Sequence, residues 1–289
     1  MKSMKIEKLP KEKFPPALLE IPQPPEKLFI IGELPPPNLI PLCVVGSRKF
    51  TSYGKECCEK LITGLKGYPI VIVSGLALGI DTIAHRKALE VGLKTLVFPG
   101  SGLSMEAIYP KTNLKLAQEI IEKGGCIISE FEPNFKATLW SFGQRNRLMA
   151  GLCKATLIIE ADERSGTLIT ARLTTEYNRD LLVVPNSIFA SNSKGTNKLL
   201  RQGATPITCV EDLLEALGFE IPKDEERQAK LFADLSPEEN KVVKLLREPM
   251  PRDELIRALK MPTPQANALL SIMEIKELIK EELGEMRLY

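Results

Sequence analysis

Residues 40–53 read Ile-Pro-Leu-Cys-Val-Val-Gly-Ser-Arg-Lys-Phe-Thr-Ser-Tyr. The apolar run stops at Gly46 and helix-forming residues follow from Gly54, so the stretch predicts a buried strand, a tight turn and a helix start. Such a turn suits an anion, because Gly46 permits close backbone approach, Ser47 offers a hydroxyl and Arg48 supplies a planar cationic fork. An ordinary turn with a solvated arginine remains the alternative, since three residues alone do not decide between the two.

Apolar strands and helical stretches alternate after this turn. Strands are predicted at residues 42–45, 70–73, 94–98, 125–129, 155–160 and 180–184, with helices near 54–66, 80–91, 112–123, 143–152 and 167–179. This alternation is typical of an α/β protein with a doubly wound parallel sheet. Helices are then expected on both faces of the sheet.

The predicted strand ends share one chemistry. They are rich in Gly, Ser and carboxylates, at residues 46–48, 74–81, 99–102, 129–130, 160–166 and 185–186. Because ligands of doubly wound sheets bind at the carboxyl ends of strands, these loops predict a shallow cleft in which backbone amides reach phosphates. Ser74, Gly75 and Gly79 are candidates on this edge.

Two further helix starts offer polar groups to the same edge. Ser165-Gly166-Thr167 opens a helix, with Ser165 predicted as its N-cap and the first free amides facing the cleft. Phe142, Arg145 and Arg147 lie on the preceding helix. The two arginines are about 200° apart around it, so they are not expected to face the cleft equally.

The chain offers few groups for catalysis or metal binding. Its single histidine, His85, follows Asp81 by one helical turn, and a capping Asp with a packed His is favoured over a catalytic pair. Glu130 and Glu160 are open to either acid/base chemistry or a role in holding loop amides. The six cysteines lack the spacing of a zinc site and are expected to be buried thiols, and neither a metal nor a cofactor is expected.

Composition indicates an ordinary globular protein. The chain has 289 residues, 44% hydrophobic and 26% charged, with a net charge of +2. That charge is too small to indicate a nucleic-acid binder, so any polyanion site depends on local arrangement of Arg and Lys. No apolar run reaches the length of a membrane span and no signal peptide is recognisable, so a cytoplasmic protein without membrane contact is expected.

Four segments are predicted. Residues 1–39 form a proline-rich strap with a possible strand at 27–31, packed on the domain formed by residues 40–219. Residues 220–235 are a charged linker. Residues 236–289 have winged-helix order, with helices near 236–247, 251–259 and 264–280 and a β ribbon at 281–289.

The charge of the last segment disfavours DNA as its partner. From Lys223 onward the chain has 12 Lys or Arg and 14 Asp or Glu, a net charge of −2. The third predicted helix, which usually enters the major groove, has no cation before Lys276. A module for protein contact or dimerisation is therefore favoured.

Taken together, the motifs resemble the DNA-processing protein A family (DprA/Smf) over residues 14–217. The resemblance rests on Gly46-Ser47-Arg48, Tyr53-Gly54, Ser74-Gly75-Leu76-Ala77, Gly79-Ile80-Asp81, Ala84-His85, Tyr109-Pro110, Ser129-Glu130, Phe142, Arg145-Asn146-Arg147, Glu160-Ala161, Ser165-Gly166-Thr167-Leu168-Ile169-Thr170-Ala171, Gly195-Thr196-Asn197 and Gln202-Gly203-Ala204. The last segment resembles the winged-helix module of many members. Pro185-Asn186 departs from the usual Pro-Gly, and the amino-terminal helical domain of some members is expected to be absent.

The resemblance implies an extended Rossmann-like domain that binds single-stranded DNA in bacterial natural transformation, protects it and helps load the RecA recombinase. It implies no catalysis and a homodimer formed through this domain. By motif match, Gly46, Ser47 and Arg48 would hold backbone phosphate. Phe142 and Arg145 would grip the strand, with Lys136 as a further candidate.

Two other functions stay open. Related Rossmann-like phosphoribohydrolases cleave nucleoside monophosphates, but they carry a Glu close after a Pro-Gly-Gly-x-Gly-Thr motif, and the corresponding helix start at Ser165 has none. A pure interaction scaffold, in which the winged-helix module recruits partners, is the third.

Overall fold

The computed structural model describes residues 5–221, 235–246, 248–276, 278–282 and 284–288. Contacts divide the chain into two units, Met1–Glu220 and Ile221–Tyr289. Most of the predicted linker, residues 222–234, lies outside the described residues.

Nine strands of the described residues form one sheet in the first unit. They are β1 (Glu7–Leu9), β2 (Leu28–Gly32), β3 (Ile40–Val45), β4 (Ile70–Ser74), β5 (Lys94–Val97), β6 (Cys126–Ser129), β7 (Ala155–Ile158), β8 (Asp180–Val183) and β9 (Thr205–Pro206). Their order is β1-β2-β6-β5-β4-β3-β7-β8-β9, and β3 to β9 are parallel. The predicted α/β class with a doubly wound sheet is confirmed.

Helices connect the strands. They are α1 (Pro16–Leu19), α2 (Ser52–Gly64), α3 (Ile80–Glu90), α4 (Leu114–Glu122), α5 (Leu139–Leu152), α6 (Thr167–Glu176), α7 (Lys194–Arg201) and α8 (Val210–Ala216). The sequence prediction omitted α1, α7, α8, β1 and β9. The two strands are only three and two residues long and lie at the sheet edges, where apolar periodicity is a weak signal.

The central strands bury both faces. Every residue of β4 is buried, and Leu42 of β3 pairs with Ile72 on one side and Ala155 on the other. Continuous apolar runs suit strands covered by helices on both sides. The turn after Val45 therefore emerges from the middle of the sheet, with strands on either side of it.

The predicted proline-rich strap, residues 1–39, supplies part of the sheet itself. β2 pairs antiparallel with β6, and β1 pairs antiparallel with β2. Phe14, Leu18 and Ile21 are buried in the main apolar core. The prolines separate short pieces of strand and helix, which pack on the sheet and its core.

The start of α5 differs from the prediction. The helix was predicted from residue 143 and begins at Leu139, because Thr138 and Ser141 form a capping box. Thr138 Oγ1 accepts from Ser141 N at 3.2 Å, and Ser141 Oγ accepts from Thr138 N at 2.9 Å. Phe142 consequently lies in the first helical turn.

The second unit has winged-helix order. Its elements are α9 (Pro237–Leu245), α10 (Arg252–Leu259), α11 (Thr263–Ile275), β10 (Ile279–Glu282) and β11 (Glu285–Leu288). The two strands pair antiparallel, and Leu255, Leu270 and Met286 belong to a separate buried core. The third helix was predicted to reach residue 280, but it ends at Ile275 with Lys276 as its C-cap, and the ribbon starts at Ile279.

Candidate nucleic-acid interface

A cleft of about 570 Å³ lies at the carboxyl edge of the central strands. We call it the strand-end cleft. The loops after β3 and β7 and the first turns of α5 and α6 line it. Its lining includes Gly46, Ser47, Arg48, Phe142 and Arg145, and also Ser165, Gly166 and Thr167. Eight predicted site residues are thus brought together.

The loop after β3 packs tightly on the start of α3. A Cβ on Gly46 would lie 2.7 Å from Ile80 Cγ1. Gly79, at φ +86°, has no room either, since a Cβ there would lie 2.3 Å from Ser47 O. Ile80 N also donates to Ser47 O at 3.2 Å. Gly46 and Gly79 are therefore required for the loop geometry, and Gly79 acts from behind the loop.

The Ser47 hydroxyl shapes this loop. Its Oγ donates to Lys49 O at 2.7 Å and accepts from Lys49 N at 3.1 Å. Thr167 Oγ1 donates to Gly46 O at 3.1 Å, which ties the start of α6 to the same loop. The Ser47 and Thr167 hydroxyls therefore fix the backbone that bears Arg48.

Arg48 is exposed and lies over an aromatic ring. Its guanidinium carbon is 5.2 Å from the centroid of the Phe142 ring, within cation–π range. The Phe142 ring packs on Gly100, where a Cβ would lie 2.4 Å from the ring, and its centroid is 5.9 Å from that of Tyr109. A flat ring beside an exposed cation offers one group for a base and one for a phosphate.

Arg145 lines the cleft but is 4% exposed and is used internally. Its Nη1 donates to Gly75 O at 2.6 Å and to Phe98 O, and its Nε donates to Asn146 Oδ1 at 3.0 Å. Burial lowers the pKa of Arg145, and the Asp81 carboxylate opposes that shift. Arg145 thus supports the loops after β4 and β5 from within.

Arg147 does not line the cleft. It is buried in an ion pair with Glu130, at the end of β6. Burial raises the pKa of Glu130, while the Arg147 charge opposes the rise. The two arginines of α5 do not face the cleft equally, as their spacing indicated, and Arg147 has a structural partner.

Four other predicted positions differ in their surroundings. Ser74 is fully buried and its Oγ donates to Val44 O at 2.6 Å, which links β4 to β3. Gly75 is packed on Arg145, because a Cβ would lie 2.0 Å from Nη1. Lys136 is exposed on the loop before α5 and does not line the strand-end cleft. Gly79, behind the Arg48 loop, likewise lies outside the lining.

Two predicted caps have other roles. Gly166, not Ser165, is the N-cap of α6. The first amides of this helix are not free as predicted, because Thr167 N donates to Ser165 Oγ at 3.2 Å and Leu168 N donates to Ser165 O at 3.1 Å. Asp81 lies within α3, whose N-cap is Gly79. The Asp81 carboxylate instead accepts from Gly75 N at 3.1 Å and Ala77 N at 3.3 Å, so it holds the preceding loop.

The remaining titratable candidates are buried and engaged. His85 Nδ1 lies 2.6 Å from Thr95 Oγ1, and burial, with the Arg145 charge, lowers the pKa of His85 to about 3. Glu160 is 0% exposed and accepts from Thr51 N at 3.0 Å and from Thr51 Oγ1. Both side chains therefore make internal contacts in the first unit.

The sequence interpretation missed two exposed cations in the cleft, Lys49 and Arg164. Lys49 directly follows the Gly-Ser-Arg turn and Arg164 precedes Ser165, so the signal was their position in strand-end loops. Asn192 also lines the cleft, and its Nδ2 donates to Lys49 O at 2.6 Å. Nothing in the sequence indicates that contact, because it joins loops 143 residues apart.

The described ranges contain neither a cluster of metal-binding side chains nor a membrane-spanning helix. Within them, no group of three or more His, Cys, Asp or Glu is placed to hold a metal ion. No helix in the same ranges has both the length and the apolar character needed to cross a membrane. All six cysteines are free thiols, and four of them are buried.

Comparison with known families matches nearly the whole chain. A family model described as DNA recombination-mediator protein A matches residues 6–218, and one described as DprA winged helix domain matches residues 226–284. The two matches follow the order of the two units.

Curated relatives are similar mainly over the first unit. The chain is 39% identical to protein Smf of Escherichia coli (strain K12) over 212 residues, which is 72% of this chain and 55% of that protein. It is 40% identical to the DNA processing protein DprA of Streptococcus pneumoniae over 206 residues, 71% of this chain and 72% of that protein. The chain therefore spans about half to three quarters of these relatives.

Solved structures have the same fold. DNA processing protein A of S. pneumoniae matches with a TM-score of 0.68 and 37% identity, covering 75% of this chain and 76% of that one. DNA processing protein A of Helicobacter pylori, studied for its single-stranded DNA binding mode, matches with a TM-score of 0.66 and 34% identity, covering 74% and 96%.

Proposed function

We propose that this chain, which belongs to the DNA recombination-mediator protein A family, binds single-stranded DNA without sequence preference along the strand-end cleft. The observation that carries the proposal is the exposed Arg48 guanidinium over the Phe142 ring, 5.2 Å from its centroid. A guanidinium contacts any backbone phosphate, and an aromatic face stacks on any base. The H. pylori relative studied for single-stranded DNA binding supports the same ligand class.

Further cations supply the rest of the site. Lys49 and Arg164 are exposed at the cleft, where the exposed Asp162 also lies. Only a local cationic surface is needed, so a net charge of +2 over 289 residues is compatible with polyanion binding. Binding should weaken as salt rises, because phosphate contacts release counterions.

Binding of an oligothymidine tests this proposal. Fluorescence anisotropy with a labelled single strand, the matched duplex and increasing salt separates the ligand classes. Tighter binding of the single strand, weakening as salt rises, supports the proposal. Equal affinity for the duplex, or no binding, contradicts it.

The proposed role involves no catalytic step. Glu130 is paired with Arg147, and Glu160 accepts from Thr51, so neither carboxylate is a free acid or base in the cleft. Release of base from nucleoside monophosphates is the assay for the rival hydrolase. Turnover that survives purification and is lost in a Glu160→Gln variant would favour that rival.

We also propose that the bound strand is protected and passed to the RecA recombinase, and that the chain acts in the cytoplasm as a homodimer formed through its first unit. These finer roles rest on family membership and would belong to DNA uptake in natural transformation. Nuclease protection, assembly of RecA on coated single strands and sedimentation of the purified protein test them separately.

A further inference from the structure

Two large apolar side chains are exposed on a loop outside the lining of the strand-end cleft. On this loop, after β8, Ile188 is 79% exposed and Phe189 is 92% exposed. On the loop after β3, Phe50 is 43% exposed. A single exposed apolar residue is common, so exposure alone indicates nothing. The position of the two loops and the charges beside them indicate which ligand these side chains would contact.

The two loops are joined. Asn192, three residues after Phe189, donates from Nδ2 to Lys49 O at 2.6 Å, next to Phe50. At the start of the loop after β8, Pro185 O accepts from Tyr53 OH, in the first turn of α2, at 2.7 Å. In the sheet, β3 and β8 flank β7 on either side. The rings are therefore carried by neighbouring loops of one edge.

The loop after β3 is cationic, since residues 46–51 contain Arg48 and Lys49 and no Asp or Glu. The loop after β8, residues 184–193, has no charged residue, but α7 follows it with Lys194, Lys198 and Arg201 and no Asp or Glu. The loop after β7, between the two, carries the exposed Arg164 together with Asp162 and Glu163. Phenyl rings beside these cations match a ligand that is both aromatic and polyanionic.

The order along the sheet edge separates these rings from Phe142. Phe142 packs on Gly100, which follows β5, whereas Phe189 follows β8, and the edge runs β5-β4-β3-β7-β8. Four strand spacings of about 4.8 Å put roughly 19 Å between the two loops. The loop that bears Arg48 follows β3 and lies between them.

We propose that Phe50 and Phe189 form a second base-stacking site, so that an unpaired polynucleotide runs along the sheet edge from Phe142, across Arg48, to Phe189. This rests on the proposed function. Stacking needs an exposed base face, which a duplex does not offer, so the second site adds to discrimination between single strands and duplexes.

Ring-specific substitutions test the inference in the full chain. Phe50→Leu with Phe189→Leu keeps apolar bulk and removes both rings, whereas Phe50→Tyr with Phe189→Tyr keeps them. Ile188→Ala is a matched control from the same exposed loop. All three should fold, because the changed side chains are exposed, and thermal melts check this.

Anisotropy with oligothymidine at fixed salt should show a loss of affinity of about 5- to 150-fold for the Leu pair. The Tyr pair and Ile188→Ala should stay within about twofold of the wild type. The fluorescence of 2-aminopurine in a bound strand is quenched when the base stacks on a ring. This quenching should be weaker with the Leu pair than with the wild type, and unchanged with the Tyr pair and Ile188→Ala.

Several outcomes overturn the inference. If the wild type binds the single strand and the Leu pair binds equally well, the second site is absent while the proposed function survives. If the wild type does not bind, both proposals fail. If the Leu pair and Ile188→Ala both convert a dimer to a monomer in sedimentation, the exposed loop is a contact between copies of this chain.

Discussion

The Arg48 guanidinium carbon lies 5.2 Å from the Phe142 ring centroid, although the two residues are 94 positions apart in sequence. One belongs to the turn after β3 and the other to the first turn of α5. Each depends on a glycine without room for a Cβ, Gly46 beneath the turn and Gly100 beneath the ring. The cation and the ring are therefore held by the fold before any ligand arrives.

Loss of the Phe142 ring should weaken single-strand binding. Phe142→Leu removes the stacking face and the cation–π partner of Arg48, and an affinity loss of about 1–3 kcal/mol is expected. Phe142→Tyr keeps the ring and should bind nearly as well as the wild type. Anisotropy with oligothymidine measures both, and equal affinity of the Leu variant and the wild type would remove Phe142 from the interface.

Gly79→Ala should disturb the Arg48 loop from behind. The residue has φ +86° and ψ −132°, and an added Cβ would lie 2.3 Å from Ser47 O, so about 1–3 kcal/mol of stability should be lost. The affinity of the Gly79→Ala variant for single-stranded DNA should also fall, because the loop that bears Arg48 is disturbed.

Gly143→Ala is the matched control. It lies inside α5, and an added Cβ would have no neighbouring atom within 4 Å, so the helix should gain about 1 kcal/mol. Fluorescence of Trp140, the single tryptophan, follows unfolding of the first unit for both variants. A Gly79→Ala protein as stable as the wild type would contradict the tight packing of Gly79 on Ser47.

Arg147 should contribute to the folding stability of the first unit and not to its affinity for DNA. Arg147→Met leaves the buried Glu130 carboxylate without its cation, and a loss of about 3–5 kcal/mol is expected. Adding Glu130→Leu should recover much of that loss, because no buried charge then lacks a partner. The folded double variant should bind oligothymidine like the wild type, and a large affinity loss there would return Arg147 to the interface.

His85 should make the first unit acid-sensitive. Its pKa is about 3 in the folded protein and near 6.5 when unfolded, so between these values the unfolded chain binds more protons. The contribution of neutral His85 to the free energy of unfolding is therefore fully present above pH 6.5 and is lost as the pH falls towards 3. Between pH 7.5 and pH 5 the loss should be about 2 kcal/mol.

A His85→Asn variant should lack this part of the pH dependence, whereas Asp81 and Glu130, whose pKa values are raised by burial, are unchanged in it. Urea unfolding followed by Trp140 fluorescence at several pH values gives the free energy of unfolding of both proteins. If it falls equally with pH in the variant and the wild type, His85 is not a buried neutral histidine.

The sequence predicted the sheet and the cleft edge because both follow from short-range pattern. Continuous apolar runs at β3, β4 and β7 mark strands buried on two faces, and the small residues after them mark the loops. The first helix of the winged-helix segment also starts on a local signal, since Ser236 and Glu239, three residues apart, form a capping box.

Roles that depend on distant packing could not be predicted. Arg145 is buried because its donors meet the carbonyls of Gly75 and Phe98, 70 and 47 residues away. Asp81 likewise holds a loop instead of capping its helix. Only the three-dimensional arrangement distinguishes such internal charges from the exposed Arg48.

The central claim is that Arg48 contacts the phosphate of an unpaired strand. The most direct test is the affinity for oligothymidine as a function of salt, compared between the wild type and Arg48→Ala, with Arg172→Ala on the exposed face of α6 as the control. We expect Arg48→Ala to bind several-fold or more weakly, with the slope of log K against log salt reduced by about 1 and the fold intact. Unchanged affinity and an unchanged slope for Arg48→Ala would contradict the claim.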